Sequence, residues 1–339
     1  MRYLIFGSGA VGSYLGVRLA LSGQPVSFLT RDRYLQDLRE RGFTLWGDGP
    51  RLSLPQPSVY SDPIQAIRNE KPDFILLTVK AYDVVEAART LAPQVTRAQT
   101  IVSFLNGVNN ETLLAEQLGE EVILPATMTT AVQTAEPGEI RVERVRGIGL
   151  AGDHPQTSTL HKELETADFL VHHYSDPERM KWSKLLTNIV SNATSAILDW
   201  TPQQVFAHPM TAKLEIHALR EAVRVMRSSG IKPHNLPKVQ VALLGWAIFL
   251  PAFITRRFLG LIVGKGRGAK KPSFHYDIGR GKTEIEWLNG AVVKRGAELG
   301  IPTPVNHMLT KTLLELVHNQ RSPQDFIDQP RKLFQQSRI

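Results

Sequence analysis

Short apolar runs alternate with helical patterns through the first half of the chain. Runs of four or more apolar residues predict strands, and apolar residues that recur every third or fourth position predict helices. This alternation is typical of a parallel sheet whose strands are joined by crossover helices. The predicted elements are strand Tyr3–Phe6, helix Ala10–Ser22, strands Pro25–Leu29, Asp73–Val79, Thr100–Phe104 and Val122–Ala126, and later antiparallel strands Glu139–Glu143, Ile148–Leu150 and Phe169–His173.

The pattern changes after His173, because helical periodicity dominates from Pro177 onward. We find no repeat with a period of 20 to 50 residues, which argues against a solenoid. The predicted helices are Arg179–Leu198, Thr211–Ser229, Lys238–Gly264 with a break, Glu284–Leu299 and Asn306–Asn319. We therefore predict an α/β parallel-sheet domain over residues 1–174 and an all-α domain over residues 175–335.

A glycine-rich motif directly follows the first predicted strand and opens a helix. The pattern G-x-G-x-x-G is formed by Gly7, Ser8, Gly9, Ala10, Val11 and Gly12. Gly7 allows a tight turn, Gly9 lets the backbone approach a pyrophosphate, and Gly12 lets helix and strand pack closely. The first N–H groups of the helix then face the phosphates. In this context the motif predicts a Rossmann-type dinucleotide-binding domain rather than a turn without a ligand.

The end of the second strand indicates which dinucleotide binds. NAD sites usually place Asp or Glu at this strand end, about 20 residues after the glycine motif, to bind the ribose 2′-hydroxyl. This strand instead ends Leu29-Thr30-Arg31, and Asp32 lies past its end. Arg31, with Arg33 as a second candidate, can pair with a 2′-phosphate through a bidentate guanidinium that is always charged. The pattern favours NADP(H) over NAD.

Composition and charge narrow the classes of function. The 339 residues include no cysteine, which excludes disulfides and cysteine nucleophiles and fits a reducing, cytoplasmic location. No histidine pattern of a zinc site is present, so we expect no metal. The net charge of +8 favours anionic partners. Charge alone leaves open a phosphorylated cofactor with a carboxylate substrate, nucleic acid, or an anionic membrane surface.

One long uncharged segment, Val239–Thr255, raises the question of membrane contact. A membrane-spanning helix needs about 20 apolar residues, and Pro251 and the pair Arg256-Arg257 interrupt this run. The N-terminal apolar run is also too short for the core of a signal peptide. We therefore expect buried or amphipathic helices without stable membrane insertion. The basic segment Gly264–Pro272 is predicted to be a solvated connector.

Polar residues that could bind a ligand or take part in catalysis follow two of the strands and recur along one helix. Lys80 and Asn106 each come after a predicted parallel strand, at the edge where such sheets bind ligands. Lys184, Asn188 and Asn192 are spaced four apart, so on one continuous helix they would share a stripe. Asparagine is unfavourable inside helices. The stripe could line a cleft or be an exposed polar face, and spacing alone does not decide.

Several separated motifs together resemble the ketopantoate reductase (2-dehydropantoate 2-reductase) family over nearly the whole chain. They occur in the order Gly7–Gly12, Thr78–Ala81, Asn106-Gly107, Trp182–Leu185 with Asn188 and Asn192, Pro272-Ser273 with Asp277, and Thr283–Gly290. The resemblance implies a Rossmann domain followed by a helical domain, with catalysis in the cleft between them. It also implies NADPH-dependent reduction of a 2-oxo acid, ketopantoate by default, to a 2-hydroxy acid.

The resemblance assigns roles by position to residues of the helical part. Lys184 matches the general acid, with Lys181 one turn earlier as its rival. Asn188, Asn192 and Ser273 match substrate-binding positions. Glu284 matches an acid that contacts both the cofactor and the reacting oxygen.

Three further matches concern the cofactor. Asn106 matches a residue near both nicotinamide and substrate, and thus one with catalytic, cofactor-binding and substrate-binding roles. Lys80 matches a lysine near the cofactor and the catalytic centre. Arg31 matches the arginine that binds the 2′-phosphate.

The chemistry explains why these residue types are needed. When hydride reaches the carbonyl carbon of a 2-oxo acid, the oxygen gains negative charge. A lysine ammonium within hydrogen-bond reach stabilises that charge and supplies the proton. Amide and hydroxyl groups such as those of Asn188, Asn192 and Ser273 can orient the substrate and bind its carboxylate.

Two alternatives stay open at this point. The Val239–Lys271 region is longer and more apolar than the family pattern, and the segment between Asp277 and Glu284 is shorter by one residue. The same chemistry on a bulkier, more apolar 2-oxo acid would fit these departures. A non-catalytic NADP-binding protein that contacts a membrane surface or nucleic acid would fit the charge. No nucleic-acid partner is expected, and a homodimer is compatible with the sequence.

Overall fold

The protein, described here by a computed structural model, is ordered into two compact units. The structure describes residues 1–266 and 271–337, and of these it describes residues 261–266 by their backbone only. The sheet unit comprises Met1–Leu105, Asn109–Met180 and Leu236–Val239, and the helical unit comprises Asn106–Val108, Lys181–Asn235 and Gln240–Ile339. Two short segments thus belong to the unit that does not contain their flanking chain. The domain boundary at 174/175 stays a prediction.

Eight strands of the sheet unit form one mostly parallel sheet. Their order across the sheet is β12-β11-β8-β7-β6-β1-β2-β5. The first five strands in chain order are β1 (Tyr3–Phe6), β2 (Val26–Leu29), β3 (Phe43–Gly47), β4 (Leu52–Leu54) and β5 (Ser58–Tyr60). The other seven are β6 (Phe74–Leu77), β7 (Thr100–Ser103), β8 (Ile123–Met128), β9 (Ala131–Glu136), β10 (Glu139–Arg144), β11 (Ile148–Ala151) and β12 (Val171–Tyr174).

The position of β1 explains where a ligand can bind. β1 pairs in parallel with β2 on one side and with β6 on the other, so the strand order reverses beside it. In open α/β sheets ligands bind outside the carboxyl ends of the strands at this reversal. The residues after β1 and β6, which begin with Gly7 and Thr78, therefore flank the expected ligand crevice.

The side chains of β1 show why the sheet is covered on both faces. Tyr3 and Ile5 belong to one buried apolar cluster. Leu4 and Phe6, which point to the opposite face, belong to a second cluster. Parallel strands with near-continuous apolar sequences require such double burial. The helices of this unit are α1 (Ala10–Leu21), α2 (Asp32–Arg41), α3 (Pro63–Glu70), α4 (Val84–Leu91), α5 (Asn110–Leu118) and α6 (Thr157–Thr166).

A second, four-stranded sheet was not predicted as such. Its order is β4-β3-β10-β9. The predicted strand near Glu139 is present as β10, which pairs antiparallel with β9 and parallel with β3. The last predicted antiparallel strand, Phe169–His173, is present as β12, which runs antiparallel to β8 but pairs in parallel with its direct neighbour β11. β11 itself pairs antiparallel with β8, as expected.

The helical unit contains no named strand in its described residues, in keeping with the predicted all-α class. Its helices include α7 (Pro177–Ile189), which enters from the sheet unit, α8 (Asn192–Leu198), α9 (Pro202–Ala207), α10 (Pro209–Ser228), α11 (Val241–Ala247), α12 (Ala252–Gly266), α13 (Asn289–Glu298), α14 (Pro304–Val317) and α15 (Pro330–Gln336). The predicted break in the 238–264 helix is present between α11 and α12. Part of the predicted basic connector, residues 267–270, lies outside the described residues.

Two predicted helices of this unit need correction. The helix predicted from Arg179 to Leu198 is interrupted between α7 and α8. The helix predicted from Glu284 begins instead as a 3₁₀ turn, Ile285–Trp287, and becomes α-helical only at Asn289.

Among the helices that the structure describes, none combines the length and the apolar character that a membrane crossing needs. The cytoplasmic location stays a prediction.

Candidate active site

The glycine turn after β1 is fixed by backbone contacts with both neighbouring strands. Gly7 has a φ of 113°, a conformation that favours glycine. The Ser8 N–H donates to the Leu29 carbonyl at the end of β2 at 3.0 Å. The Thr78 hydroxyl, just past β6, donates to the Gly7 carbonyl at 2.7 Å. The turn is therefore held between the two strands that flank β1.

Gly12 and Gly9 serve opposite purposes in this turn. A Cβ on Gly12 would lie 2.2 Å from the Gly7 carbonyl oxygen and 2.5 Å from the Thr78 hydroxyl oxygen. Only glycine lets α1 pack this closely on the turn. A Cβ on Gly9, by contrast, would have no neighbour within 4 Å. Packing within the protein does not require glycine there, but a ligand that approaches the backbone would.

The start of α1 has the chemistry of an anion site. Gly9 is the N-cap residue and supplies no side-chain cap, and the first turn holds no acidic residue. The first N–H groups of a helix lack partners within the helix, and the helix dipole favours negative charge beside them. The open space in front of Gly9 and this helix start fit the pyrophosphate of a dinucleotide.

Two cationic residues predicted to contact the cofactor follow β2 and β6, the strands on either side of β1. Arg31 is exposed and is the N-cap residue of α2, two positions beyond the end of β2. Arg33, the second candidate, stacks on Tyr34 with its guanidinium carbon 4.6 Å from the ring centroid. Lys80 is half-buried and lies at the start of a 3₁₀ turn, Ala81–Asp83, after β6.

In the helical unit, α7 carries the predicted general acid. Lys184 is half-buried, whereas its rival Lys181 is buried. The neighbouring Ser183 is fully buried and its hydroxyl accepts a hydrogen bond from the His234 N–H at 2.9 Å. Ser183 thus fixes this turn of α7 within the helical unit. Lys184 is therefore the more solvent-accessible of the two lysines.

Asn106 and Asn188 contact each other although they are far apart in sequence. The Asn188 side-chain amide donates to the Asn106 side-chain oxygen at 3.1 Å. The segment that carries Asn106 is anchored by the next residue, since a Cβ on Gly107 would lie 2.5 Å from the Trp287 carbonyl oxygen. That same carbonyl accepts a hydrogen bond from the Val108 N–H at 3.2 Å. Gly107 thereby allows the Asn106 segment to dock beside the Ile285–Trp287 turn.

Glu284 directly precedes this 3₁₀ turn. Its side chain is buried, and its carbonyl accepts the Trp287 N–H at 3.1 Å. The turn is further closed by the Ile285 N–H, which donates to the Thr283 hydroxyl at 3.3 Å. Asn106 and Glu284 therefore each lie within three residues of the contact between Gly107 and Trp287.

The α7–α8 break separates Asn192 from the stripe that was predicted for it. Ser191 adopts the left-handed conformation with a φ of 54°. Its N–H donates to one carboxyl oxygen of Glu215 at 2.7 Å, and the Thr194 hydroxyl lies 2.5 Å from the other. The prediction that Lys184, Asn188 and Asn192 share one helical stripe is wrong, because a buried carboxyl group stabilises a turn between them.

Glu215 was not predicted as a site residue, yet its carboxyl group stabilises the turn between α7 and α8. It lies on α10 and is buried. Burial raises the pKa of Glu215 from 4.5 to about 7, against the opposing effect of the bonds from Thr194 and Ser191. A signal was present in the sequence, since Glu215 occupies a position on the apolar stripe of an otherwise amphipathic helix.

Asn192, at the start of α8, contacts the turn that carries Ser273. Its amide nitrogen donates to the Ser273 hydroxyl at 3.3 Å, and its amide oxygen accepts the Phe274 N–H at 3.2 Å. Asn192 is buried, whereas Ser273 is exposed. One asparagine therefore holds the predicted serine at the surface of the unit.

The other end of α8 holds the same turn by charge. Asp199, directly after α8, lies 2.5 Å from the Lys271 ammonium and 3.1 Å from Nδ1 of His275. Burial and the nearby Lys271 lower the pKa of His275, while Asp199 acts in the opposite direction. Ser273 is thus fastened between Asn192 at one end of α8 and Asp199 at the other.

The site residues therefore form one backbone cradle in the sheet unit and one set of side-chain pairs in the helical unit. In the described ranges, no group of three His, Asp or Glu side chains is placed to hold a metal ion. A mostly parallel sheet with a glycine-rich turn after the strand at which the order reverses is the arrangement that binds dinucleotides in doubly wound folds.

Comparison with known proteins specifies the family. The family model described as ketopantoate reductase PanE/ApbA matches residues 3–155, and the model of its C-terminal part matches residues 176–317. The chain belongs to the ketopantoate reductase family of oxidoreductases.

Three individual proteins illustrate the similarity. The 2-dehydropantoate 2-reductase of Halobacterium salinarum is 27% identical over 327 residues, which is 94% of this chain and 98% of that protein. A PanE/ApbA family ketopantoate reductase from Ralstonia eutropha has a TM-score of 0.80 at 26% identity, covering 94% of this chain and 99% of its own. D-mandelate dehydrogenase with NADH and anilino(oxo)acetate has a TM-score of 0.78 at 20% identity, covering 94% and 99%, and shows the fold alone.

Proposed function

We propose that this protein reduces a 2-oxo acid to a 2-hydroxy acid with NADPH, and that its substrate is 2-dehydropantoate (ketopantoate), giving pantoate. The observation that carries the proposal is the pairing of Asn188 with Asn106 and of Asn192 with Ser273. One pair brings Asn106 to the helix that carries Lys184, and the other brings Ser273 to the start of the next helix. The H. salinarum relative, named for this activity, supports the substrate.

The roles follow from the chemistry of carbonyl reduction. A bound dinucleotide supplies the hydride to the carbonyl carbon. Lys184 donates the proton to the carbonyl oxygen, whose developing charge its ammonium group also stabilises. Asn188 and Asn106 orient the carbonyl group, and Asn192 and Ser273 bind the carboxylate. Glu284 holds the Lys184 ammonium group, accepts a hydrogen bond from the hydroxyl group that forms on the substrate, and contacts the cofactor.

The sheet unit accounts for the cofactor. The open space in front of Gly9 and the start of α1, which has no side-chain cap, fit a pyrophosphate. Lys80 contacts the cofactor from the end of β6. Arg31 binds the 2′-phosphate of NADP(H), because it is exposed at the start of α2 and no acid occupies the end of β2. The neighbouring Arg33 is engaged with Tyr34.

The alternative is the same chemistry on a bulkier, more apolar 2-oxo acid, which the long apolar region from Val239 to Lys271 motivates. Two large side chains there, Trp246 and Phe253, are 60% and 70% exposed, so these two do not supply buried apolar surface for such a substrate. The absence of a nucleic-acid partner and the homodimer stay predictions.

A steady-state screen tests the proposed function. NADPH and NADH oxidation would be followed with ketopantoate, pyruvate, 2-oxoisovalerate and phenylpyruvate. We expect the highest kcat/KM for NADPH with ketopantoate. Comparable kcat/KM values for phenylpyruvate would replace ketopantoate by an apolar substrate, and no oxidation with any of the acids would contradict the reductase activity.

A further inference from the structure

The turn between α11 and α12 presents large apolar side chains to solvent. We call the exposed residues Leu243, Trp246, Phe249, Phe253 and Ile254 the apolar ridge. Pro251 and Ala252, between the two helices, are exposed as well. Exposed runs of consecutive apolar residues are rare in soluble proteins unless they serve binding.

The turn that carries the ridge is firmly built. The Arg220 guanidinium donates to the Ile248 carbonyl at 2.7 Å and to the Leu250 carbonyl at 2.8 Å. The Thr255 hydroxyl lies 3.1 Å from the Ala247 carbonyl and 3.0 Å from that of Leu250. These bonds satisfy backbone groups of the turn from inside. The fold therefore presents the ridge in a defined conformation.

Arginine side chains border the apolar ridge. The Arg227 guanidinium stacks on Phe249, with its carbon 4.6 Å from the ring centroid. Arg256 donates to the carbonyls of Phe206 and Ala207, which ties the start of α12 to α9. Arg257, the next residue, is exposed. Positive charge therefore lies beside the apolar surface rather than far from it.

The charge of the surrounding sequence is strongly one-sided. The segment from Ala222 to Tyr276, which includes the ridge, holds ten of the forty Lys and Arg residues and none of the thirty-two Asp and Glu residues. The remainder of the chain carries thirty basic and thirty-two acidic residues. The basic character of the protein is thus concentrated in the segment that carries the ridge.

We propose that the apolar ridge docks reversibly on the surface of an anionic lipid bilayer. Trp and Phe side chains partition into the interface between headgroups and acyl chains, and neighbouring Arg and Lys side chains attract anionic headgroups. A second copy of the chain fits less well. A two-fold contact through the ridge would bring two segments without any acidic residue face to face.

Vesicle co-sedimentation of the full-length protein tests the docking. Phosphatidylcholine vesicles would be compared with vesicles of equal parts phosphatidylcholine and phosphatidylglycerol, at low and at high salt. We expect binding to the anionic vesicles that falls as salt rises, because the charge attraction is screened. Equal binding to both vesicle types, or no binding to the anionic ones, would overturn the proposal.

Variants locate the contact. Trp246→Ser with Phe253→Ser removes the centre of the ridge, and Arg257→Glu reverses a bordering charge, so each should weaken anionic-vesicle binding about tenfold or more. Leu170→Ser is the matched control, since Leu170 is 41% exposed in the sheet unit. Wild-type ketopantoate reduction by all variants would show that they fold. Unchanged vesicle binding by the ridge variants would refute the assignment.

Light scattering separates the docking from self-association. We expect the ridge variants to keep the oligomeric state of the wild-type protein. A wild-type dimer that dissociates in the Trp246→Ser, Phe253→Ser variant would identify the ridge as an interface between copies and overturn the proposal.

Discussion

The two units present their predicted site residues in different ways, one through backbone groups and the other through side chains. In the sheet unit the turn from Gly7 to Gly12 forms a cradle from backbone, and its key position, Gly9, has empty space in front of it. In the helical unit the site consists of side chains that hold one another, such as Asn188 with Asn106 and Asn192 with Ser273. The difference suggests a division of labour, in which the cradle binds the cofactor and the side-chain pairs perform and direct the chemistry.

The largest expected effect comes from the helical unit. Lys184→Ala removes the proposed proton donor, so kcat should fall by about 10²–10⁴-fold, whereas the affinity for NADPH should change little. Stopped-flow absorbance at saturating NADPH would measure the rate of hydride transfer. Lys311→Ala is the control, because Lys311 is an exposed lysine on α14 of the same unit. Wild-type turnover by Lys184→Ala would remove Lys184 from the mechanism.

Two alanine substitutions in the cradle should separate packing from ligand binding. Gly12→Ala places a Cβ 2.2 Å from the Gly7 carbonyl oxygen, so we expect the free energy of unfolding to fall by about 1–3 kcal/mol. Gly9→Ala meets no neighbour within 4 Å, so its stability should match the wild type while its Kd for NADPH rises about tenfold or more.

Thermal unfolding and NADPH fluorescence titration measure the two effects on the same preparations. Should Gly9→Ala bind NADPH as tightly as the wild type, the cradle would not contact the pyrophosphate. Should Gly12→Ala be as stable as the wild type, the close packing of α1 on the turn would be wrong.

The same contrast between the two units determines how much could be predicted from the sequence. The cradle was predictable because its three glycines lie within six consecutive residues and act through local geometry, with a strand before them and a helix after them. The break between α7 and α8 was not, because Glu215, more than twenty positions away, stabilises the left-handed Ser191. Helical spacing around Asn192 carries no trace of that contact.

Long-range pairing set a similar limit in the sheet unit. The small sheet depends on parallel pairing between β3 and β10, which lie about ninety positions apart. The strand β3 is flanked by polar residues and lacks the long apolar run that identified β1 and β6. The docking of Gly107 against Trp287 was likewise invisible, although the glycine itself was noted.

The cofactor preference should depend on a single exposed arginine. Arg31→Ala removes a charge-assisted contact to the 2′-phosphate, so the KM for NADPH should rise about tenfold or more. The KM for NADH should stay nearly constant, since NADH has no 2′-phosphate. Arg33→Ala, which removes the stack on Tyr34, serves as the neighbouring control. An equal rise in KM for both cofactors would contradict the role of Arg31.

The smallest expected effect is a pH dependence of protein stability that arises from Glu215. Burial raises the pKa of Glu215 from 4.5 in the unfolded chain to about 7 in the folded protein. The neutral form is therefore favoured by folding, and its stabilising contribution is complete below pH 4.5 and lost as the pH rises through about 7. Glu215→Gln keeps the shape and cannot ionise.

Thermal melts from pH 5 to pH 8 would compare the two proteins. We expect the melting temperature of the wild type to fall relative to that of Glu215→Gln as the pH rises. A difference that does not vary with pH would show that Glu215 does not titrate in this range.

The separation between cofactor binding and chemistry is tested most directly by measuring the affinity for NADPH and the single-turnover rate on the same two variants. For Gly9→Ala and Lys184→Ala, the Kd for NADPH would be measured by fluorescence titration, and the single-turnover rate with ketopantoate by stopped flow at saturating NADPH. We predict that Gly9→Ala loses affinity while keeping most of its rate, and that Lys184→Ala keeps its affinity while losing its rate. Loss of rate in Gly9→Ala at saturation, or loss of affinity in Lys184→Ala, would contradict the division.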